Sequence, residues 1–176
     1  ADRAAFLQGR SLVNLDDAAE AAAVFKSLYT ARPGSEYADD ALFEHAGVLS
    51  ALGSRREALA AYDELLRKYP RSPLAEEATY KRGEVQAAAG QHQQARDAFY
   101  EYRTRYPQGR LVDASLYWGG MSALELGERF GAVLHWERLI EAYPASPFRP
   151  DALRRTAEAY AGRSDYARAL EYYNLL

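Results

Sequence analysis

Prolines recur at one fixed interval along this chain. Pro33, Pro70, Pro107 and Pro144 each lie 37 residues from the next, and three of them follow a tyrosine, Tyr69, Tyr106 and Tyr143. Cutting after each proline divides the 176 residues into units 1–33, 34–70, 71–107, 108–144 and 145–176, the first and last being partial. Three further columns keep that register in all five units. Small residues stand at Gly9, Ala46, Gly83, Gly120 and Ala157, and alanine stands at Ala21, Ala58, Ala95, Ala132 and Ala169. Four residues after each of those alanines comes an aromatic: Phe25, Tyr62, Phe99, Trp136 and Tyr173. A period of this length marks an array of supersecondary units, none of which can bury its apolar face without a neighbour.

Composition decides what the units are made of. Alanine occurs 34 times, whereas valine, isoleucine and threonine together occur 11 times. Helices favour alanine and strands favour β-branched residues, so the chain reads as all-α. In unit 71–107, Ser72-Pro73 reads as an N-cap followed by proline at the first helical position. The first helix then runs to about Ala89 and stops at Gly90, and the second runs from about Gln91 to Tyr106, where Pro107 forces the exit. Units 34–70 and 108–144 follow suit with turns at Gly53 and Gly127. The fifth unit starts at Ser146-Pro147, with Pro150 expected to delay its first helix by a turn and its own turn expected to shift to Gly162-Arg163-Ser164. The two small columns let the helices of a unit approach closely. The aromatic column is expected to fill the gap between one unit and the next. Tyr37, Leu74, Leu111 and Phe148 are expected to pin the loops onto the core.

This pattern of small, small, aromatic and proline resembles the tetratricopeptide repeat, whose usual period is 34 rather than 37. The resemblance implies a right-handed solenoid of about five helix-turn-helix repeats, forming a single domain over 1–176. Segments such as Tyr69-Pro70-Arg71-Ser72-Pro73-Leu74-Ala75, followed by Ala78 and Gly83, resemble a bacterial envelope subclass. That subclass includes the Tol–Pal-associated periplasmic coordinators and the lipoproteins of the Bam complex. The resemblance therefore implies a protein–protein interaction scaffold in an envelope assembly, periplasmic or outer-membrane associated, with a cytoplasmic location as the alternative. His45, Arg82, Gly119 and Thr156 depart from the family in a column that is usually leucine.

Other chemistries lack their residues. There is no cysteine, so disulfides, thiolate metal sites and a cysteine nucleophile are excluded. His45, His92 and His135 are far apart and fall in different columns, without the i, i+3 or i+4 spacing of helical metal ligands. No nucleophile elbow, phosphate loop or dinucleotide fingerprint occurs. Asp39-Asp40 and Glu76-Glu77 sit in first turns, where they complement the helix dipole. The chain is thus read as a non-enzyme without cofactor or metal. A net charge of −3 argues against nucleic acid, and no apolar run is long enough to insert in a membrane.

The resemblance implies that the first helix of each unit lines a concave face that binds a peptide or helix of a partner. The family's groove positions fall on Phe6, Phe43, Tyr80, Tyr117 and Arg154, and on Arg10, Gly47, Glu84, Met121 and Glu158. Of these, Phe6, Arg10, Phe43, Tyr80, Glu84, Tyr117 and Met121 are the candidate partner-binding residues. The competing reading is that the aromatic ladder packs as core against the second helices. Chaperone-binding relatives use lysine and asparagine at these columns to clamp a carboxylate, a role this set does not fit. Two other functions stay open: a helical accessory domain of a larger enzyme such as a lytic transglycosylase, and an RNA-binding solenoid. The chain closes at Tyr172-Tyr173-Asn174-Leu175-Leu176, inside a second helix. An apolar end there predicts a longer parent protein or self-association through open solenoid ends.

Overall fold

Helix begets helix along this chain because alanine, leucine, glutamate and arginine dominate it between glycine and proline stops. The computed structural model describes residues 1–176 and contains ten helices and no strand. They are α1 (Asp2–Asn14), α2 (Ala18–Ala31), α3 (Ala38–Ala51), α4 (Arg55–Lys68), α5 (Ala75–Ala88), α6 (His92–Arg105), α7 (Val112–Glu125), α8 (Arg129–Ala142), α9 (Arg149–Ala161) and α10 (Tyr166–Tyr173). The odd-numbered helices from α3 onward start at 38, 75, 112 and 149, and the even-numbered ones from α4 at 55, 92, 129 and 166, each series stepping by 37. The chain forms two compact units, Ala1–Ala89 and Gly90–Leu176. In the first, α1 packs on α2, α2 on α3, α3 on α4 and α4 on α5. In the second, α6 packs on α7, α7 on α8, α8 on α9 and α9 on α10.

The repeated columns form the core of both units. Ala21, Ala58, Ala95 and Ala132 are fully buried, as are Phe25 and Phe99, with Tyr62 and Trp136 nearly so. A Cβ placed on Gly9 would lie 2.6 Å from Phe25 Cε1, and one placed on Gly120 would lie 2.5 Å from Trp136 Nε1. Phe25 and Trp136 therefore rest on the bare backbone of the first helix of their own repeats. This leaves each ring's other side facing the next repeat, in the gap the aromatic column is expected to fill. At Gly9 and Gly120 the missing side chain leaves room for the ring. The following first helix then closes over the ring's other side, as Gly119 does over Phe99.

The turns correct three expectations. Ser72-Pro73 does not cap α5; Leu74 holds the N-cap position, as Tyr37, Leu111 and Phe148 do for α3, α7 and α9. The Ser35, Ser72 and Ser146 hydroxyls instead accept from the backbone N–H groups of Tyr37, Leu74 and Phe148, at 3.3, 3.1 and 3.2 Å. These local serine turns consume the hydroxyl before the helix begins and leave the cap position to a side chain that packs. Pro150 causes no delay, since α9 starts at Arg149 in register and a first-turn proline forfeits no helical bond. Nor has the fifth turn moved. Gly53, Gly90 and Gly127 are left-handed at φ 76, 72 and 79, and the same column holds Asp16 at φ 64 and Ser164 at φ 62.

Candidate functional site

The first helices of the first compact unit carry Phe6, Arg10, Phe43, Tyr80 and Glu84. Phe6 is half-buried on α1; its ring stacks on Tyr37 at 5.5 Å between centroids and tilts against Phe25 at 5.8 Å. Phe43 is half-buried on α3, edge-on to Tyr62 at 5.8 Å. Both rings thus pack on aromatics of the second helices, as the core reading requires, while keeping part of their surface open. Tyr80 is buried, at 4% exposure, and offers almost no ring area. Arg10 is exposed one turn beyond Phe6, and Glu84 is half-buried and pairs with Lys81 at 2.7 Å.

Charge gives this face its sign. Burial pushes the Glu44 and Asp40 carboxyls above their usual range, opposed by the attraction of Arg10. The Tyr62 hydroxyl is raised too, by burial first and then by the charges of Glu84, Glu77 and Glu44. It lies beside Gly47 with room to spare: a Cβ there would stand 3.9 Å away. The face therefore presents carboxylates around Phe43 and a phenol, with Arg10 at its margin. It can accept N–H donors and cations.

In the second compact unit the ladder continues differently. Tyr117 is buried on α7, stacks on Phe148 at 4.9 Å and 21°, and donates its hydroxyl to Asp151 at 2.5 Å. Asp151 is opposed by burial, but hydrogen bonds from Tyr117, Arg155 and Arg154 outweigh that and hold its carboxyl at about 2. Arg154, the break in the ladder, also pairs with Glu158 at 2.7 Å. Met121 is half-buried one turn along from Tyr117. Trp118 was missed by the sequence reading. It stands exposed and edge-on to Tyr117 and Phe148, at 5.1 and 6.5 Å. Its column holds Leu7, Glu44, Lys81 and Arg155 in the other repeats, so no periodic signal marked it.

Family membership follows from profile matches over most of this length. A tetratricopeptide repeat profile matches residues 43–110 and 119–176, and another matches residues 3–35. The chain belongs to the tetratricopeptide repeat family. No curated protein sequence matches it. Among solved structures it is similar to MamA 41-end from Desulfovibrio magneticus RS-1, at 14% identity and TM-score 0.77 over 98% of this chain and 91% of that one. It is similar to a tetratricopeptide repeat protein from Parabacteroides merdae, at 17% identity and TM-score 0.79, covering 98% of this chain and 64% of the other. PilF of Pseudomonas aeruginosa aligns at 17% identity and TM-score 0.71, over 99% and 74% of the two chains. At these identities the likeness establishes the fold, an all-helical tetratricopeptide solenoid. Such repeats generally act as protein–protein interaction scaffolds. No helix is long and apolar enough to cross a membrane.

Proposed function

We propose that this tetratricopeptide chain is a non-catalytic scaffold of a bacterial envelope assembly, holding a peptide or helix of a partner protein on its first-helix faces. The observation that carries the binding face is the half-open pair Phe6 and Phe43, set between exposed Arg10 and half-buried Glu84. Aromatic rings already fixed by packing give contact area at small entropic cost. In the second compact unit Met121 is a half-buried apolar contact on α7, while Tyr80 and Tyr117 are buried in their own units and offer little ring surface. The Tyr69-Pro70-Arg71-Ser72-Pro73 segment, which resembles the Tol–Pal coordinators and Bam lipoproteins, supports the envelope setting, and with it the proposal of a periplasmic or outer-membrane-associated location.

The test is capture from a bacterial envelope extract, read by mass spectrometry, with the chain and with a Phe43→Ala plus Arg10→Glu double variant. Phe43 is half-buried, so the variant should lose some stability, and circular dichroism checks that it stays folded while losing the captured partner. Capture of the same partner at undiminished yield by the folded variant would reject this face.

A further inference from the structure

In the aromatic column of the second helices, one buried ring carries a polar atom that the chain does not satisfy. Phe25 and Phe99 bring no polar atom to that column, Trp136 donates its Nε1–H to the Tyr117 carbonyl, and Tyr173 is exposed. Tyr62 on α4 is only 2% exposed, yet its hydroxyl makes no hydrogen bond within the chain. A phenylalanine fills the same column in two other repeats, so packing does not require that hydroxyl, and leaving it without a partner is unfavourable. The hydroxyl lies beside Gly47, where it is the one side-chain atom within 4 Å of the place a Cβ would take. Gly47 follows Phe43 by four residues and Glu44 by three, so all three share one side of α3.

Carboxylates gather around this hydroxyl. Glu84 and Glu77 on α5 and Glu44 on α3 all lie within electrostatic reach of it. Glu44 in turn is repelled by Asp40, one turn earlier on α3, and by Glu77. The Asp40 and Glu44 carboxylates form no hydrogen bond or ion pair in the chain. Arg10 attracts both but pairs with neither, and Lys81 is committed to Glu84 at 2.7 Å. This side of the first compact unit therefore brings together a half-open ring, a phenol oxygen and like charges that are partly withdrawn from water. Only a cation with several N–H donors offsets all of these at once.

We propose that the partner segment is basic and that one of its arginines seats here, its guanidinium against the Phe43 ring and its N–H groups donating to the Tyr62 hydroxyl oxygen and the Glu44 carboxylate. This rests on the reading of the first-helix faces as a peptide-binding surface and adds the chemistry of what they hold. Arginine is the occupant because a planar guanidinium stacks on an aromatic ring and fans its donors towards acceptors on more than one helix. An ammonium is a compact point charge and does one of these things at a time. An acidic segment would meet Glu44, Glu77 and Glu84 with repulsion.

Three acetylated pentapeptides test this, identical except for a central arginine, lysine or citrulline between alanines and leucines. Citrulline keeps the shape of arginine without its charge. Binding to the whole chain is followed by NMR at the Gly47 backbone amide. The arginine peptide should shift that amide to saturation and bind about tenfold more tightly than the citrulline peptide, with the lysine peptide between them. Tyr62→Phe and Glu44→Gln should each weaken the arginine peptide towards the citrulline one. Neither should lower the melting temperature, because each removes a group that has no hydrogen-bonding partner in the chain. No saturating shift at Gly47, citrulline or lysine bound as tightly as arginine, or arginine binding unchanged in both variants would each overturn the proposal. If that happens while the Phe43→Ala plus Arg10→Glu variant still loses its captured partner, the arginine falls and the scaffold face stands. Arginine binding beside undiminished capture would do the reverse.

Discussion

Adding one methyl group to Gly120 should be enough to damage the second compact unit. The Trp136 indole lies on the Gly120 backbone so closely that a Cβ would come within 2.5, 2.9 and 3.0 Å of three of its ring atoms. Trp136 is only 2% exposed and donates Nε1–H to the Tyr117 carbonyl at 3.3 Å, so the ring cannot shift without losing that bond. Overpacking of this kind costs about 1–3 kcal/mol, and losing the indole hydrogen bond adds about 1. Replacing a mid-helix glycine by alanine returns about 1 kcal/mol of helix propensity. The net for Gly120→Ala is a loss of roughly 1–3 kcal/mol, or a fall of about 2–10 °C in melting temperature for a chain of this size. Gly47→Ala is the control. There the nearest atom to a new Cβ is the Tyr62 hydroxyl at 3.9 Å, so propensity acts unopposed and the variant should be more stable by up to about 1 kcal/mol. Thermal unfolding followed by circular dichroism and tryptophan emission reads both. A Gly120→Ala chain as stable as the parent, or a Gly47→Ala chain that loses as much, would refute the ring-on-backbone packing.

Two further outcomes can be checked on the same instrument. Ser164 holds φ 62 where the three interior turns have glycine, so Ser164→Gly should relieve left-handed strain and stabilise the last hairpin by about 0.5–1 kcal/mol; a lower melting temperature would contradict this. His135 is held down to about 4 by burial and by Arg103, Arg96 and Arg138, against 6.5 in the unfolded chain. Between those values the unfolded chain binds more protons, so stability is full above about pH 6.5 and drains as pH falls towards 4, by at most about 3 kcal/mol. His135→Gln should flatten that slope, and a slope unchanged in the variant would remove His135 as its cause.

Much of the fold could be read from the sequence because the constraints are steric and repeat. Close approach needs a small residue, so the column holding Gly9 and Gly120 was legible as a place where helices meet, while its pairing with Phe25 and Trp136 was not. The turn column was legible where it held glycine and opaque at Asp16 and Ser164, because a left-handed residue other than glycine leaves no compositional mark. The serine turns were misread for a related reason: Ser72 can cap a helix or bond two residues along its own loop, and only packing of Leu74 decides which. The candidate binding columns lie along α1, α3, α5 and α7, yet spacing alone could not separate half-open Phe43 from buried Tyr80, since both are aromatic at the same register. Trp118 and the Asp151 network have no counterpart in the other repeats, so periodicity carried no information about them.

The column that departs from leucine shows why these repeats are not interchangeable. His45 reaches the Ala22 carbonyl across its junction, and Arg82 pairs with Asp63 across the next. Gly119 does the opposite: by supplying nothing it lets the Arg103 guanidinium cross and donate to the Ser115 carbonyl at 2.7 Å. Burial and the nearby Arg138 bring that guanidinium down to about 10, so it is held at a real desolvation cost and needs its carbonyl. Thr156 buries a hydroxyl that finds no acceptor. Each junction therefore has a different polar fit over the same apolar frame. A chain built from near-identical helical hairpins is exposed to pairing between the wrong neighbours. Setting the Thr156 side of α9 against α6 would put a side chain where Arg103 must pass and leave its charge without the Ser115 carbonyl. An unpaired buried charge costs more than one misplaced methyl group, so the irregular column penalises the wrong neighbour more than the regular columns reward it.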